Sequence, residues 1–298
     1  MKARIEPAGP LTTWWPLAGS DHPGAAHIAN RPLRDLQLIE LRAAGLELAA
    51  EDEEAAVALR AHAWVVRADW ELFLNEPESA ALVAPDGTVL AARPTGGAAV
   101  EARNSFALVH PWDFLRLNEI IVGALATPRI EGDLSTHAHL DGVLVLGKGS
   151  RVLPGVVIEG NVVVGENCKI GPNCYIRSST TIGDKCHVGQ SVEIKNSILG
   201  AGTNVGHLSY VGDSILGAKV NFGAGTIVSN LRHDGKTHRT QVAGGLVDTG
   251  RRKFGVVVGD GGHTGIHTAI YPGRKIGPGA STRPAAVVQR DLRDGEIL

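Results

Sequence analysis

The sequence predicts a mainly β protein whose larger part is a parallel β-helix of six-residue repeats. From residue 134 onward an aliphatic residue occupies every sixth position, eleven times in succession. An α-helix repeats every 3.6 residues and a strand every two, so neither explains this period. Glycine often follows the aliphatic residue, and a small or β-branched residue stands four positions after it, which is typical of hexapeptide strands arranged three to a coil. The eleven positions are Leu134, Leu140, Leu146, Val152, Ile158, Val164, Ile170, Ile176, Ile182, Val188 and Ile194.

The repeat shifts twice and is interrupted once. It slips by one residue before Leu199 and again before Leu216, stops after Val228 and returns at Val258. The intervening residues 229–253 are rich in glycine and charge. An irregular insertion of this length is usually functional or disordered. We therefore predict a β-helix domain over residues 127–298, with residues 229–253 projecting as a loop beside the coil.

Residues 1–126 lack the repeat and predict a small α/β domain. The first predicted helix has a proline near its first turn and Gly45 after its end, which are the usual start and stop signals. An Asp-Gly pair between two alternating segments predicts a hairpin. The predicted elements are helices at 30–44, 51–63 and 110–124 and a hairpin centred on Asp86 and Gly87.

Composition excludes several classes of protein. The net charge is −2, with no charge block at either end, so no nucleic-acid partner is expected. No stretch approaches the roughly 20 apolar residues that span a bilayer, and the N-terminus has no apolar signal segment. We predict no membrane span and a cytoplasmic location.

The three cysteines do not predict a disulfide framework or a reactive site. Their number is odd and their density is low, which fits a reducing compartment. Cys168, Cys174 and Cys186 all fall on the small-residue position of the hexads. We predict that they pack in the core.

Two cations occupy a position where this sequence usually has glycine. Arg177 and Lys195 each follow an aliphatic residue and are 18 residues apart, which is one coil of three hexads. Residues one coil apart stack at about 4.8 Å, so the two charges repel unless an anion lies between them. A bound phosphate would explain the pair. Two solvated cations, partly neutralised by Glu193, explain it equally well.

His207 is the candidate general base. It lies two residues after the inward-facing Val205, so we expect it at an outward corner, with Tyr210 on the same short stretch. Histidine titrates near neutral pH and is the side chain most often used for proton transfer. Most outward histidines have no such role.

Other polar residues are candidates for holding a sugar or a phosphate. Asn221 precedes an inward-facing Phe222, and Asn230 opens the insertion. The insertion also contains four basic or imidazole side chains, and a plain polar surface loop remains an open interpretation for them. They are His233, Lys236, His238 and Arg239. Zinc needs three or four converging ligands, and we predict no metal site.

Residues 170–240 resemble the acetyltransferase half of the bifunctional glucosamine-1-phosphate acetyltransferase/N-acetylglucosamine-1-phosphate uridylyltransferases and their archaeal-type homologues. The similarity is carried by IGPNCYIR and VGQSVEIKNSILGAGTNVGHLSYVGDSILGAKVNFGAGTIVSN. The resemblance implies a left-handed coil, a homotrimer and acetyl-CoA as co-substrate. It also implies site residues: Arg177, Lys195 and Lys236 at the sugar phosphate, His207 as the base, Tyr210 and Asn221 as substrate contacts, and Asn230 at the amino sugar.

The resemblance weakens outside that segment. Nucleotidyltransferases of this kind open with a glycine-rich LxGGxGTRxxPLT loop, whereas residues 14–46 read WWPLAGSDHPGAAHIANRPLRDLQLIELRAAGL. Uridylyl transfer is therefore not expected, and Mg²⁺ would be needed only if nucleotidyl transfer persists. We interpret residues 1–126 as a reduced nucleotidyltransferase-like domain. CoA would lie along residues 255–285, where its phosphates would meet Arg274, Lys275 and Arg283.

The function predicted is acetyl-CoA-dependent N-acetylation of an amino sugar 1-phosphate, either glucosamine-1-phosphate or galactosamine-1-phosphate. Leu231, in the archaeal-type loop NLRHDGK, leaves the choice of sugar open. Two alternatives remain. One is a non-catalytic sugar-nucleotide-binding or assembly scaffold, and the other is residual sugar-1-phosphate nucleotidyl transfer.

Overall fold

A computed structural model describes residues 1–6, 11–17, 26–94 and 97–298. Among these residues the protein is predominantly β, with three α-helices: α1 Leu33–Ala43, α2 Arg67–Leu74 and α3 Pro111–Gly123. A short 3-10 helix covers Thr12–Trp14. Contacts divide the chain into two compact units. Unit 1 comprises Met1–Leu11, Ser20–His27 and Arg31–Asp113, and unit 2 comprises Thr12–Gly19, Ile28–Asn30 and Phe114–Leu298.

The strands of the N-terminal half are short. They are β1 Lys2–Glu6, β2 His27–Ile28, β3 Arg31–Pro32, β4 Glu47–Leu48, β5 Val57–Arg60, β6 Ala63–Trp64, β7 Ser79–Val83, β8 Val89–Ala92, β9 Ala98–Glu101 and β10 Phe106–Ala107. Six of them form a mixed sheet in the order β4-β1-β5-β8-β7-β9, and two two-stranded ladders join β6 with β10 and β2 with β3. Trp70 and Phe73 of α2 pack with Leu59, Leu82 and Leu90 of the sheet in the core of unit 1.

Three of the four elements predicted in this half are confirmed. Helix α1 begins after Pro32, whose extended backbone precedes the first turn, and it ends before Gly45, which has a φ of +75°. Strands β7 and β8 form the predicted hairpin, with Gly87 at φ +84° in its turn. Helix α3 lies within the predicted 110–124.

The helix predicted at 51–63 is wrong. Residues 57–60 form strand β5, in which Val57 and Leu59 are buried between β1 on one side and β8 on the other. The alanines and glutamates of this segment favour a helix intrinsically. Pairing with two neighbouring strands and burial of one apolar face override that weak preference.

Twenty-five strands follow α3. They are β11 Arg129–Ile130, β12 Asp133–Leu134, β13 His139–Asp141, β14 Leu144–Leu146, β15 Arg151–Val152, β16 Val157–Glu159, β17 Val162–Val164, β18 Lys169–Ile170, β19 Tyr175–Arg177, β20 Thr180–Ile182, β21 His187–Gln190, β22 Glu193–Lys195, β23 Ile198–Leu199, β24 Asn204–His207, β25 Tyr210–Gly212, β26 Ile215–Leu216, β27 Asn221–Phe222, β28 Ile227–Val228, β29 Arg239–Val242, β30 Gly245–Asp248, β31 Val256–Val258, β32 His263–Thr264, β33 Ala269–Ile270, β34 Arg274–Ile276 and β35 Val287–Val288.

All but β29 and β30 belong to three parallel sheets, which confirms the predicted β-helix. Sheet A has the order β11-β14-β17-β20-β23-β26-β31-β34, and sheet B has the order β12-β15-β18-β21-β24-β27-β32. Sheet C has the order β13-β16-β19-β22-β25-β28-β33-β35. Every third strand thus returns to the same sheet, as three hexads per coil require. The left-handed sense remains an implication of the resemblance.

The period slips shorten the coils without breaking the ladders. Val188 pairs with Val205, and Val205 pairs with Phe222, so these coils contain 17 residues. The insertion leaves the coil after β28 and the ladder resumes with Val228 paired to Ile270. Strands β29 and β30 within the insertion form an antiparallel hairpin.

The aliphatic residue of each hexad fills the interior of the coil. A single buried cluster runs from Leu144 to Leu292 along the axis. Cys168, Cys174 and Cys186 belong to it and are buried free thiols, so the predicted packing role is confirmed. Burial raises the pKa of the Cys174 thiol to about 12, which keeps it protonated.

Helix α3 from Phe114 onward is bonded to the coil. Asn161 Nδ2 donates to the carbonyls of Val122 and Leu125 at 3.0 and 2.9 Å, which satisfies carbonyls at and just beyond the end of the helix. Asn118 Nδ2 donates to Ser179 O at 2.6 Å, and Thr181 Oγ1 donates to Asn118 Oδ1 at 2.7 Å. Among the described residues no helix has the length and apolarity to cross a membrane.

Candidate active site

Arg177 and Lys195 stack on sheet C as their spacing predicts. They are register partners in β19 and β22, and Gly212 of β25 is the next residue in the same row. Each cation has a carboxylate partner: Arg177 Nη1 lies 3.3 Å from Glu193 Oε1, and Lys195 Nζ lies 3.0 Å from Asp213 Oδ2. The two charges are therefore compensated in the protein rather than left bare.

Asp213 is the centre of the site, and sequence reasoning missed it. Its carboxylate is 3% exposed and accepts hydrogen bonds from three side chains. Lys195 Nζ is one donor, Asn196 Nδ2 donates to Oδ1 at 2.9 Å, and Asn230 Nδ2 donates to Oδ2 at 2.6 Å. A buried carboxylate is stabilised only by such pairing and hydrogen bonding.

A signal for Asp213 was present in the sequence. It lies 18 residues after Lys195, the same spacing that separates Lys195 from Arg177. The period slip places Gly212 in the strand row and moves Asp213 to the following corner, where its φ is +51°. The corner turns the carboxylate back toward Lys195, which a regular 18-residue coil does not predict.

Tyr210 completes what we call the Asp213 cluster: Asp213, Lys195, Asn196, Asn230 and Tyr210. Asn230 Nδ2 lies 3.0 Å from the Tyr210 hydroxyl. Burial, and then the charge of Asp213, raise the pKa of Tyr210 above its ordinary value. The phenol therefore stays neutral, and it can donate or accept a hydrogen bond but does not act as a base.

Gly212 leaves room for this arrangement. A Cβ at Gly212 would lie 2.4 Å from the Tyr210 hydroxyl oxygen and 2.6 Å from Asn230 Nδ2. Gly212→Ala is expected to displace both side chains and to lower the free energy of unfolding by about 1–3 kcal/mol, measured by urea denaturation. Gly206→Ala is the matched control, because a Cβ there meets nothing within 4 Å. Equal stability of the two variants would contradict this prediction.

His207 lies at the corner between sheets B and C. It ends β24 in register with Gln190, and its side chain is exposed, as expected. The next residue, Leu208, has a φ of +51° and is also exposed, and Tyr210 begins the following strand. Burial first, and then the charges of Lys169 and His207, lower the pKa of the neighbouring His187.

The structure separates Asn221 from the Asp213 cluster. Asn221 begins β27 on sheet B, in register with Asn204 and His263, and its side chain is exposed. Lys236 lies in the insertion and is exposed, with its backbone N–H bonded to Asp234 Oδ1 at 3.1 Å. Within one chain, therefore, Lys195, Tyr210 and Asn230 are brought together, whereas Asn221 lies on another sheet.

Of the three residues predicted to meet CoA phosphates, Lys275 is not available. It is 1% exposed, and its ammonium donates to the backbone oxygen of Gln241 in β29. Burial lowers its pKa. Lys275 therefore bonds the hairpin of the insertion to β34. Arg274 is partly exposed and Arg283 is exposed, so both side chains remain accessible.

His238 is buried at the base of the insertion rather than displayed on its surface. Its Nε2 lies 3.1 Å from Asn230 O. Burial lowers the pKa of His238, with Arg232 and Arg274 adding to the effect and hydrogen bonds to backbone groups opposing it. The native state therefore favours the neutral imidazole.

The lowered pKa of His238 predicts a loss of stability in acid. The unfolded chain takes up the proton below about pH 6.5, before the folded protein does, so the stabilisation is complete above that pH and is lost as pH falls toward the folded pKa. Urea denaturation between pH 5 and 8 should show a smaller pH dependence for His238→Gln than for wild type. His233→Gln, an exposed residue of the same insertion, should match wild type. Identical profiles for all three proteins would contradict the prediction.

A three-sheet β-helix of hexapeptide coils with polar side chains gathered at one corner defines the class of hexapeptide-repeat proteins. Residues 158–261 match the family model described as the GMPPB C-terminal domain. A bifunctional sugar-1-phosphate nucleotidylyltransferase/acetyltransferase of Sulfurisphaera tokodaii is 39% identical over 63% of this chain and 47% of its own length. Bifunctional protein GlmU of Methanococcus maripaludis is 36% identical over 63% of this chain and 46% of its own length.

A third relative is covered more fully. The putative uncharacterized acetyltransferase YaiX of Escherichia coli is 34% identical over 52% of this chain and 67% of its own length. The chain belongs to the hexapeptide-repeat acetyltransferase family. It spans about half the length of the two bifunctional relatives.

Proposed function

We propose that this protein transfers an acetyl group from acetyl-CoA to the amine of an amino sugar 1-phosphate. The observation that carries the proposal is the Asp213 cluster. It joins three of the residues assigned to the substrate, Lys195, Tyr210 and Asn230, two residues or more beyond the corner that carries His207. Polar groups held in fixed positions next to a proton acceptor are what direct transfer to an amine requires.

The proposed reaction is direct and needs no metal. His207 takes a proton from the amine as the nitrogen attacks the thioester carbonyl and forms the C–N bond. The tetrahedral intermediate then expels the CoA thiolate, which takes the proton back from His207. Backbone N–H groups near the carbonyl oxygen would stabilise the oxyanion.

The sugar phosphate would bind at Arg177 and Lys195. Arg177 is about one-third exposed, so a phosphate can reach its guanidinium by displacing the single contact with Glu193. Lys195 is held more tightly by Asp213 and would contribute a fixed charge. Lys236, on the exposed insertion, would approach the phosphate from the other side.

For acetyl-CoA we retain Arg274 and Arg283 as phosphate contacts and omit Lys275, whose ammonium is buried. Asn221 would contact the substrate from a neighbouring subunit of a homotrimer. Exposed apolar residues next to the site support such an assembly: Leu208, Ile227, Tyr271 and Val287 lie on sheet C or its leading corner. The cytoplasmic location and the nucleotidyltransferase-like origin of residues 1–126 also stay predictions.

The test is release of the CoA thiol from acetyl-CoA in the presence of glucosamine-1-phosphate or galactosamine-1-phosphate. Thiol release with one sugar and not with the other would support the proposal and identify the substrate. Release with neither would overturn the proposal as stated. A parallel assay of pyrophosphate release with Mg²⁺ and a nucleoside triphosphate would reveal residual nucleotidyl transfer.

A further inference from the structure

The Asp213 cluster continues into a second carboxylate that lies outside the β-helix strands. Asn196 Nδ2 donates to Asp213 Oδ1 at 2.9 Å and also to Glu119 Oε1 of α3 at 2.6 Å. One amide group is thus shared by two carboxylates. Like charges this close repel in a partly buried site, so each carboxylate needs a cation of its own.

Two cations lie on opposite sides of this pair. Lys195 compensates Asp213, and Arg251 compensates Glu119 with both terminal nitrogens of its guanidinium. Arg251 is 17% exposed, which limits screening of the ion pair by water. Arg251 is near the end of the insertion, which lies far from Glu119 in sequence.

The same cluster fixes both ends of the insertion. Asn230, at its start, is bonded to Asp213 Oδ2, and the backbone N–H of Gly255, just after its end, donates to Asp213 O at 2.9 Å. Phe254 N–H donates to Asn230 O at 2.9 Å. A change at Arg251 would therefore be transmitted to Asn230 and Lys195 through short hydrogen bonds.

We propose that Arg251 and Glu119 are positioning residues for the transfer reaction. Their ion pair holds Asn196, and through it Asp213, in the arrangement that presents Lys195 and Asn230 to the amino sugar phosphate. The inference rests on the proposed function and adds α3 and the end of the insertion to the site.

The decisive variant is Arg251→Gln, assayed by thiol release. The KM for the amino sugar phosphate is expected to rise about tenfold or more, because small displacements of positioning groups have large effects. The KM for acetyl-CoA should stay within twofold, since the cluster faces the sugar. Arg251→Lys, which keeps the charge, should recover part of the loss, and Glu119→Gln should reproduce it.

Arg252→Gln is the matched control. Arg252 is the adjacent residue, is exposed and contacts only the Gly235 carbonyl among the described residues. An unchanged KM for the sugar phosphate in Arg251→Gln, or an equal rise in Arg252→Gln, would overturn the inference while leaving the proposed function intact.

A second readout does not depend on catalysis. Arg232, Lys236 and Arg239 are trypsin sites within the insertion, and its base is held by the cluster. Cleavage there should be several-fold faster in Arg251→Gln than in wild type or Arg252→Gln. If the wild-type protein acetylates no amino sugar phosphate, the proposed function fails, and equal cleavage rates would then overturn the positioning of the insertion as well.

Discussion

Replacing His207 with alanine is expected to lower the rate of acetyl transfer by about 10²–10⁴-fold, the usual contribution of a general base. The side chain is exposed at the corner between sheets B and C and is not used to hold the fold together. The folded protein and its affinity for the amino sugar phosphate should therefore be retained. The loss should be in kcat, measured by thiol release at saturating acetyl-CoA.

His139→Ala provides the control for this experiment. His139 is also exposed and lies on sheet C, in the row that includes Tyr175, Glu193 and Tyr210, but several coils before them. Its kcat should stay within about twofold of wild type, as for most surface substitutions that touch no functional group. A His207→Ala enzyme with wild-type kcat would remove His207 from the mechanism and favour a scaffold role.

Asp213→Ala is expected to have the largest effect on stability, a loss of about 3–5 kcal/mol in the free energy of unfolding. The substitution leaves Lys195 as a largely buried charge without its counter-ion. It also removes the acceptor shared by Asn196 and Asn230. Asp213→Asn keeps the shape but not the charge, and it should lie between the alanine variant and wild type.

Urea denaturation at fixed protein concentration measures this difference, because an assembly makes apparent stability depend on concentration. Asp141→Ala is the control: Asp141 is exposed on sheet C, and its removal should change stability by less than about 0.5 kcal/mol. A loss in Asp213→Ala no greater than that in Asp141→Ala would show that the Asp213 cluster is not needed for folding.

The residues of the site could be predicted from the sequence only in part. Arg177, Lys195, His207 and Tyr210 lie in unbroken hexads, where a constant spacing defines which residues share a sheet. Asp213 and Arg251 could not be found in this way. The first follows a period slip, and the second comes from an insertion whose path no repeat describes.

The sequence by itself determined the β-helix, its inward-facing residues and the position of its insertion. Each of these follows from a local period, because parallel coils repeat the same backbone geometry every three hexads. The tertiary structure decided the strand at 57–60, the burial of Lys275 and the Asp213–Asn196–Glu119–Arg251 connection. These depend on contacts between residues far apart in the chain, and no local preference encodes which distant carboxylate or carbonyl a side chain will meet.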